Sequence, residues 1–135
     1  MNHPNDIPEE ILSKLRLLCF DFPEVYEERA WVGTRWCVKK KNFAHILMLR
    51  EGWPPAYAQA VGMNGPAYLL TFRFSLHKID TSRFTQYPFF NPVWWPNIAG
   101  LVIDDKVDWE EVNELLIQSY CEIAPKKLAA LVKGR

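Results

Sequence analysis

The sequence predicts an α+β domain whose antiparallel sheet is covered on one side by helices. Three observations carry this expectation. Apolar residues recur at helical spacing near both ends, as Ile11, Leu15, Leu18 and Phe22 and again as Val112, Leu115, Leu116, Ser119 and Ile123. Between these stripes lie short strand-like runs, the clearest being Ala67–Ser75, where Tyr68, Leu70, Phe72 and Phe74 alternate. The resulting order is helix, four strands, short helix, strand and two helices, which is not the strict alternation of a parallel α/β fold.

Taken in order, Asp6 and Glu9 resemble a capping box, with Pro8 tolerated in the first turn, and Ile7 to Phe20 is read as an amphipathic helix ended by Pro23. Tyr26–Arg29 reads as a short strand and Gly33 as a turn. Arg35–Lys39 and Phe43–Leu49 flank Lys40, Lys41 and Asn42 as a hairpin with a charged tip. Glu51–Pro66 contains Pro54, Pro55, Gly62, Gly65 and Pro66 and reads as a long loop. Asp80 can cap a short helix through Phe84, and Ile98–Ile103 is a final strand closed by Asp104-Asp105. Asp108 with Glu111 forms a second capping box for a long helix. Pro125 opens a last helix, ending at Gly134, with Leu128 and Leu131 expected to face inward.

A chain of 135 residues suits one domain, 1–135, that needs neither disulfide nor metal to hold it. Its 49% hydrophobic and 24% charged content is that of an ordinary globular protein, and its acidic, amphipathic start is unlike a signal peptide. A cytoplasmic location is expected. Cys19, Cys37 and Cys121 are widely spaced and are expected to be free thiols, with no metal site and no cofactor. Net charge is zero but unevenly spread. Arg29, Arg35, Lys39, Lys40, Lys41 and Arg50 form a block without acids, whereas Asp104–Glu114 holds six acids against Lys106. A positive and a negative pole are expected.

Five segments together resemble the MmcQ/YjbR family: CFDFPEVYEE (19–28), KKKNFAHIL (39–47), AGLVID (99–104), VDWEEVNELL (107–116) and SYCEIAPKKLAA (119–130). Order and spacing agree from Ile11 to Val132, and VDWEEV and the Ala-Pro-Lys-Lys-Leu ending are the most specific pieces. The resemblance implies a small α+β domain with an antiparallel sheet, similar in outline to frataxin-like and secretion-chaperone-like folds. It also implies a DNA-binding label that rests on fold analogy. The chain departs from the family pattern in having Ile98 where tryptophan is usual and Lys40 and Lys41 where the hairpin turn usually has glycines.

No nucleophile elbow, phosphate loop, dinucleotide fingerprint or zinc motif is present, and His3, His45 and His77 are isolated. Glu110, Glu111 and Glu114 suit the positive end of a helix rather than a catalytic pair. The chain is therefore expected to be a binding module and not an enzyme. Lysines at a hairpin tip can reach phosphates, so Arg35, Lys39, Lys40 and Lys41 are the candidate nucleic-acid contacts, with DNA as the expected, weakly held partner. The competing reason for lysines there is protection of an exposed hairpin from edge-to-edge pairing. The stretch QYPFFNPVWWPN (86–97) concentrates five aromatic rings and three prolines. With little positive charge nearby it is read as a lid folded over the sheet by Phe89, Phe90 and Trp95, not as a row of stacking platforms. Trp94 and Tyr57 are the candidates for an exposed aromatic patch, and with it for the alternative function, a protein-interaction or chaperone-like module.

Overall fold

Tight turns join the first three strands and leave each pair the antiparallel pairing to adopt, whereas longer connections, one of them helical, link the rest. In this computed structural model, which describes residues 7–75, 84–92 and 97–133, the sheet has six antiparallel strands in the order β1-β2-β3-β4-β6-β5. They are β1 (Tyr26–Arg29), β2 (Thr34–Val38), β3 (Lys41–Leu49), β4 (Ala67–Arg73), β5 (Phe89–Phe90) and β6 (Ile98–Ile103). Gly33 turns the chain from β1 into β2 with φ at 83°, and a side chain there would strike the Ile46 carbonyl, so both conformation and space require glycine.

One face carries the main core. Trp36, Ala44, Ile46, Leu70, Phe72 and Leu101 of the sheet meet Leu15 and Cys19 of α1 (Glu9–Cys19) and Val112, Leu115, Leu116 and Tyr120 of α3 (Trp109–Ile123). Leu128 and Val132 of α4 (Lys126–Lys133) close its margin. A register shift opposite Trp36 and Cys37 leaves Phe43 as the extra residue of a β-bulge, so that Phe43 and Ala44 both join this core. The Phe43 ring then packs against Phe22 at 5.7 Å and against Tyr120 at 5.4 Å. Beside the bulge, Ser119 of α3 donates to the Phe43 carbonyl and accepts from the Arg73 backbone N–H at 2.8 Å. Farther along α3, the Tyr120 hydroxyl donates to the Pro23 carbonyl at 2.7 Å.

Among the described residues, a second set of side chains packs on the opposite face. Leu47, Leu49, Leu69 and Val102 form a second, smaller core with Val32, Tyr57 and Phe90. Tyr57 belongs to α2 (Pro55–Val61), a helix in the segment expected to be a loop. Pro54 and Pro55 start this helix rather than prevent it, since the first turn has no use for their missing N–H groups, and Gly62 ends it in the left-handed conformation. The aromatic stretch contributes β5, which the sequence reading did not anticipate. Phe90 lies over Gly100 of β6, as a lid should, and Phe89 packs against the main core. Trp94, Trp95 and most of the expected helix from Asp80 lie outside the described residues.

Two helix ends also differ from expectation. Pro8, which makes no side-chain cap, is the N-cap of α1, so Glu9 opens the helix instead of completing a capping box, and Asp6 lies outside the described residues. In α4 the buried stripe is Leu128, Ala129 and Val132, which share one side of the helix, while Leu131 falls on the other and is 61% exposed. Asp108 caps α3 as predicted, accepting from the backbone N–H groups of Glu110 and Glu111. Among the described residues, no helix is long and apolar enough to cross a membrane.

Candidate nucleic-acid interface

The charged hairpin forms, with its turn one residue earlier than expected. Val38 pairs with Lys41, so Lys39 and Lys40 are the two central residues, at φ 49° and 70°. Positive φ at both positions marks a type I′ turn, the geometry that matches the twist of the flanking strands and that Asn-Gly adopts most easily. Two lysines hold it here, each at a steric cost of about 1 kcal/mol. Their side chains, with that of Lys41, are exposed.

The structure brings these lysines to one end of the sheet but does not build the broad positive pole expected from the linear block. β1 lies against β2, and acids along and just before it meet the basic residues. Arg35 sits opposite Glu28 and forms an ion pair with it, and Lys39 Nζ stands 2.8 Å from Glu24. Lys40 and Lys41 make no ion pair among the described residues. At the same end, Arg73 closes β4, and its Nε is buried without a hydrogen-bond partner among the described residues. Arg35 is held along the sheet surface, away from the tip, by its carboxylate partner.

Behind the tip the sheet is rigidly tied. On the main-core side, Arg16 of α1 donates two hydrogen bonds to Glu27, at 2.8 and 2.9 Å, and the Trp36 indole donates a third at 3.0 Å. The hydrogen bonds from Arg16 hold the Glu27 carboxyl below its ordinary range. On the opposite side, Cys37 lies beside Glu28, and burial together with that carboxylate pushes its thiol up to about 11. Such a thiol is not a nucleophile at neutral pH. His45, paired across the sheet with Arg35 and Thr71, donates from Nε2 to the Val32 carbonyl. That bond fixes its tautomer, and burial lowers its pKa, so it is a neutral anchor for the β1–β2 loop.

Tyr57 is not a surface contact. It is 8% exposed, and burial pushes its hydroxyl up to about 12, because the unexpected helix α2 turns the ring onto the sheet. Trp94, its expected neighbour, lies outside the described residues. Among the described residues, Trp31 and Trp53 form an exposed aromatic pair, at 83% and 44% exposure, whose rings meet edge to face with centroids 5.6 Å apart. Trp31 escaped the sequence reading because Ala30 and Val32 beside it suggest an interior run. Its usable signal was Gly33, which places it in a turn.

The acidic end surrounds an open groove of about 500 Å³ lined by Glu10, Lys14, Tyr68, Asp104, Asp105 and Trp109. The Lys14 ammonium stands 6.0 Å from the Trp109 ring centroid, and Asp104 accepts from the Tyr87 hydroxyl at 2.8 Å. Cys19, Cys37 and Cys121 are free thiols, and among the described residues no three His, Cys, Asp or Glu side chains converge as metal ligands. The chain matches no family model and no curated protein.

Proposed function

We propose that this chain is a non-catalytic binding module that holds nucleic acid weakly through the phosphates, using the β2–β3 hairpin tip. One observation carries the reading: a tight turn is closed by two lysines in backbone conformations that glycine and asparagine adopt at less cost. Strain of this kind persists where a side chain is wanted at the position. Lys40 and Lys41 are the phosphate contacts, and Lys39 assists to the extent that Glu24 releases it. The resemblance to the MmcQ/YjbR family adds a DNA-binding label by fold analogy alone; Lys40 and Lys41 stand where that family has glycines, so their role rests on this chain's own turn. With so few contacts, affinity falls in the non-specific range, on the order of micromolar or weaker.

The test is titration of DNA and RNA at two salt concentrations with the parent and with Lys39, Lys40 and Lys41 replaced by Ala. The expected result is salt-sensitive binding by the parent, most of it lost in the variant, with the salt slope reduced by about two units. Equal binding by the variant, or none by the parent, overturns the proposal. A protein-interaction role then becomes the leading reading.

A further inference from the structure

Large aromatic side chains that stand in solvent demand an explanation, because indole exposure forfeits the burial that would stabilise the fold. Trp31 is the most exposed large hydrophobic residue among those described, and Trp53 touches it. They come from two separate turns. Trp31 lies between Ala30 and Gly33, whose backbone groups bond across the loop at 3.0 Å. Trp53 follows the Glu51-Gly52 turn and is hydrogen-bonded in both directions to Arg50, at 2.9 and 3.0 Å. Both supports are firm, since the Trp31 loop is also anchored by the bond from His45 to Val32. The indoles are thus exposed and pre-positioned.

We propose that Trp31 and Trp53 form a base-stacking platform for single-stranded nucleic acid, with Arg29 and Arg50 as the adjoining cations. This assignment rests on the nucleic-acid reading above and adds to it the kind of strand preferred. The planes meet at 66°, so the contact uses one ring face and leaves others open to flat partners. Arg50 lies directly opposite Trp53 in the bridge, which places both side chains on one side of that turn. Arg29 ends β1 two residues before Trp31. Neither arginine makes an ion pair among the described residues; Glu28, which precedes Arg29, is paired with Arg35 instead, and Glu51 follows Arg50 at the turn. Aromatic faces beside unpaired positive charge are the combination that sequence-tolerant single-strand binding requires. A duplex, whose bases are already stacked, cannot use it. The platform and the lysine tip stand at opposite ends of β2, a strand of five residues or roughly 17 Å, so a strand of a few nucleotides can reach both.

The experiment measures binding of labelled oligo(dT), of the matching duplex and of a polyglutamate peptide, with tryptophan emission recorded alongside. The proteins are the parent, Trp31→Ala, Trp31→Phe, Trp53→Phe and the triple lysine variant. Expected are tighter binding to oligo(dT) than to the duplex, quenching of tryptophan emission, a loss of about tenfold on Trp31→Ala, and partial retention in Trp31→Phe. Melting curves like the parent's are expected for Trp31→Ala, because the ring is exposed. If all three tryptophan variants bind like the parent while the lysine variant is weakened, the platform is overturned and the phosphate reading survives. If Trp31→Ala weakens binding while the lysine variant does not, the platform is supported and the hairpin reading fails. Equal affinity for duplex and single strand without quenching overturns the platform. Binding of polyglutamate without binding of oligo(dT) overturns it in favour of an acidic protein partner.

Discussion

Ser119 donates its hydroxyl proton to the Phe43 carbonyl while accepting from the Arg73 N–H, so one side chain of α3 stands between two neighbouring strands where their ladder stops. The β3–β4 pairing runs only as far as Ala44 and Phe72. The helix therefore supplies both partners that the next rung would have supplied. Ser119→Ala removes them together and leaves a buried donor and acceptor unpaired, a loss of about 2–3 kcal/mol. Urea unfolding of parent and variant measures it. A loss below about 0.5 kcal/mol would mean that the two strands re-pair unaided.

Gly100 should tolerate no larger residue. A side chain there would overlap the Phe90 ring, which lies across the glycine and holds β5 to β6. Gly100→Ala is expected to cost about 1–3 kcal/mol through overpacking, and Phe90→Leu in the same chain to recover part of it. Thermal melts of the two single variants and the double variant test this coupling, and simple additivity would refute it.

The hairpin tip should exchange stability for charge. Lys39→Asn with Lys40→Gly places the favoured residues of a type I′ turn at φ 49° and 70°. Relief of the backbone strain should raise stability by about 1 kcal/mol. Loss of the exposed Lys39–Glu24 pair subtracts only a few tenths of that. The same variant should bind nucleic acid more weakly than the parent. Melting and titration on one preparation check both signs, and a less stable variant would show that the turn is not strained.

Acid should lower the stability over two separate pH ranges. His45 is held neutral in the fold, below its ordinary value of about 6.5, with burial as the main cause and Arg35 adding to it. Between the two values the unfolded chain binds the extra proton, so its contribution is complete above about pH 6.5 and shrinks as pH falls. Glu27 is depressed by Arg16, so its contribution is present above the ordinary carboxylate value and is lost as pH falls through the lower folded one. Stability measured from pH 7.5 to 3 should show both slopes, and His45→Gln should remove the upper one alone. A parent that is flat between pH 6.5 and 5.5 would exclude the role given to His45.

Strand and helix identities were legible where local periodicity and tertiary packing agree, as in the alternation of Leu70, Phe72 and Phe74 and the stripe on α3. They were not legible where they depend on a partner far along the chain. Phe43 faces the core because of a bulge opposite Trp36, and no pattern within β3 announces it. β5 exists because Gly100 leaves room for Phe90. The basic block was visible, but its neutralisation was not, because Glu24 and Glu28 reach it only by strand pairing. Proline at α2 misled for a local reason: the same residue that breaks a helix interior opens a first turn.

The hydrogen bond from Tyr120 to Pro23 joins residues 97 positions apart and has a consequence for the order of assembly. By Arg73 the growing chain holds four strands that each pair with their neighbour in sequence, so a meander can form early. Its inner face, with Trp36, Ile46 and Phe72, then lacks α3 until nearly fifty further residues are made. At roughly 5–20 residues per second that interval is a few seconds, long enough for a nascent chain to need a chaperone's protection. Ribosome-bound chains halted once β4 has emerged from the ribosome but α3 has not should therefore be captured by a hydrophobic-surface chaperone, and released full-length chains should not.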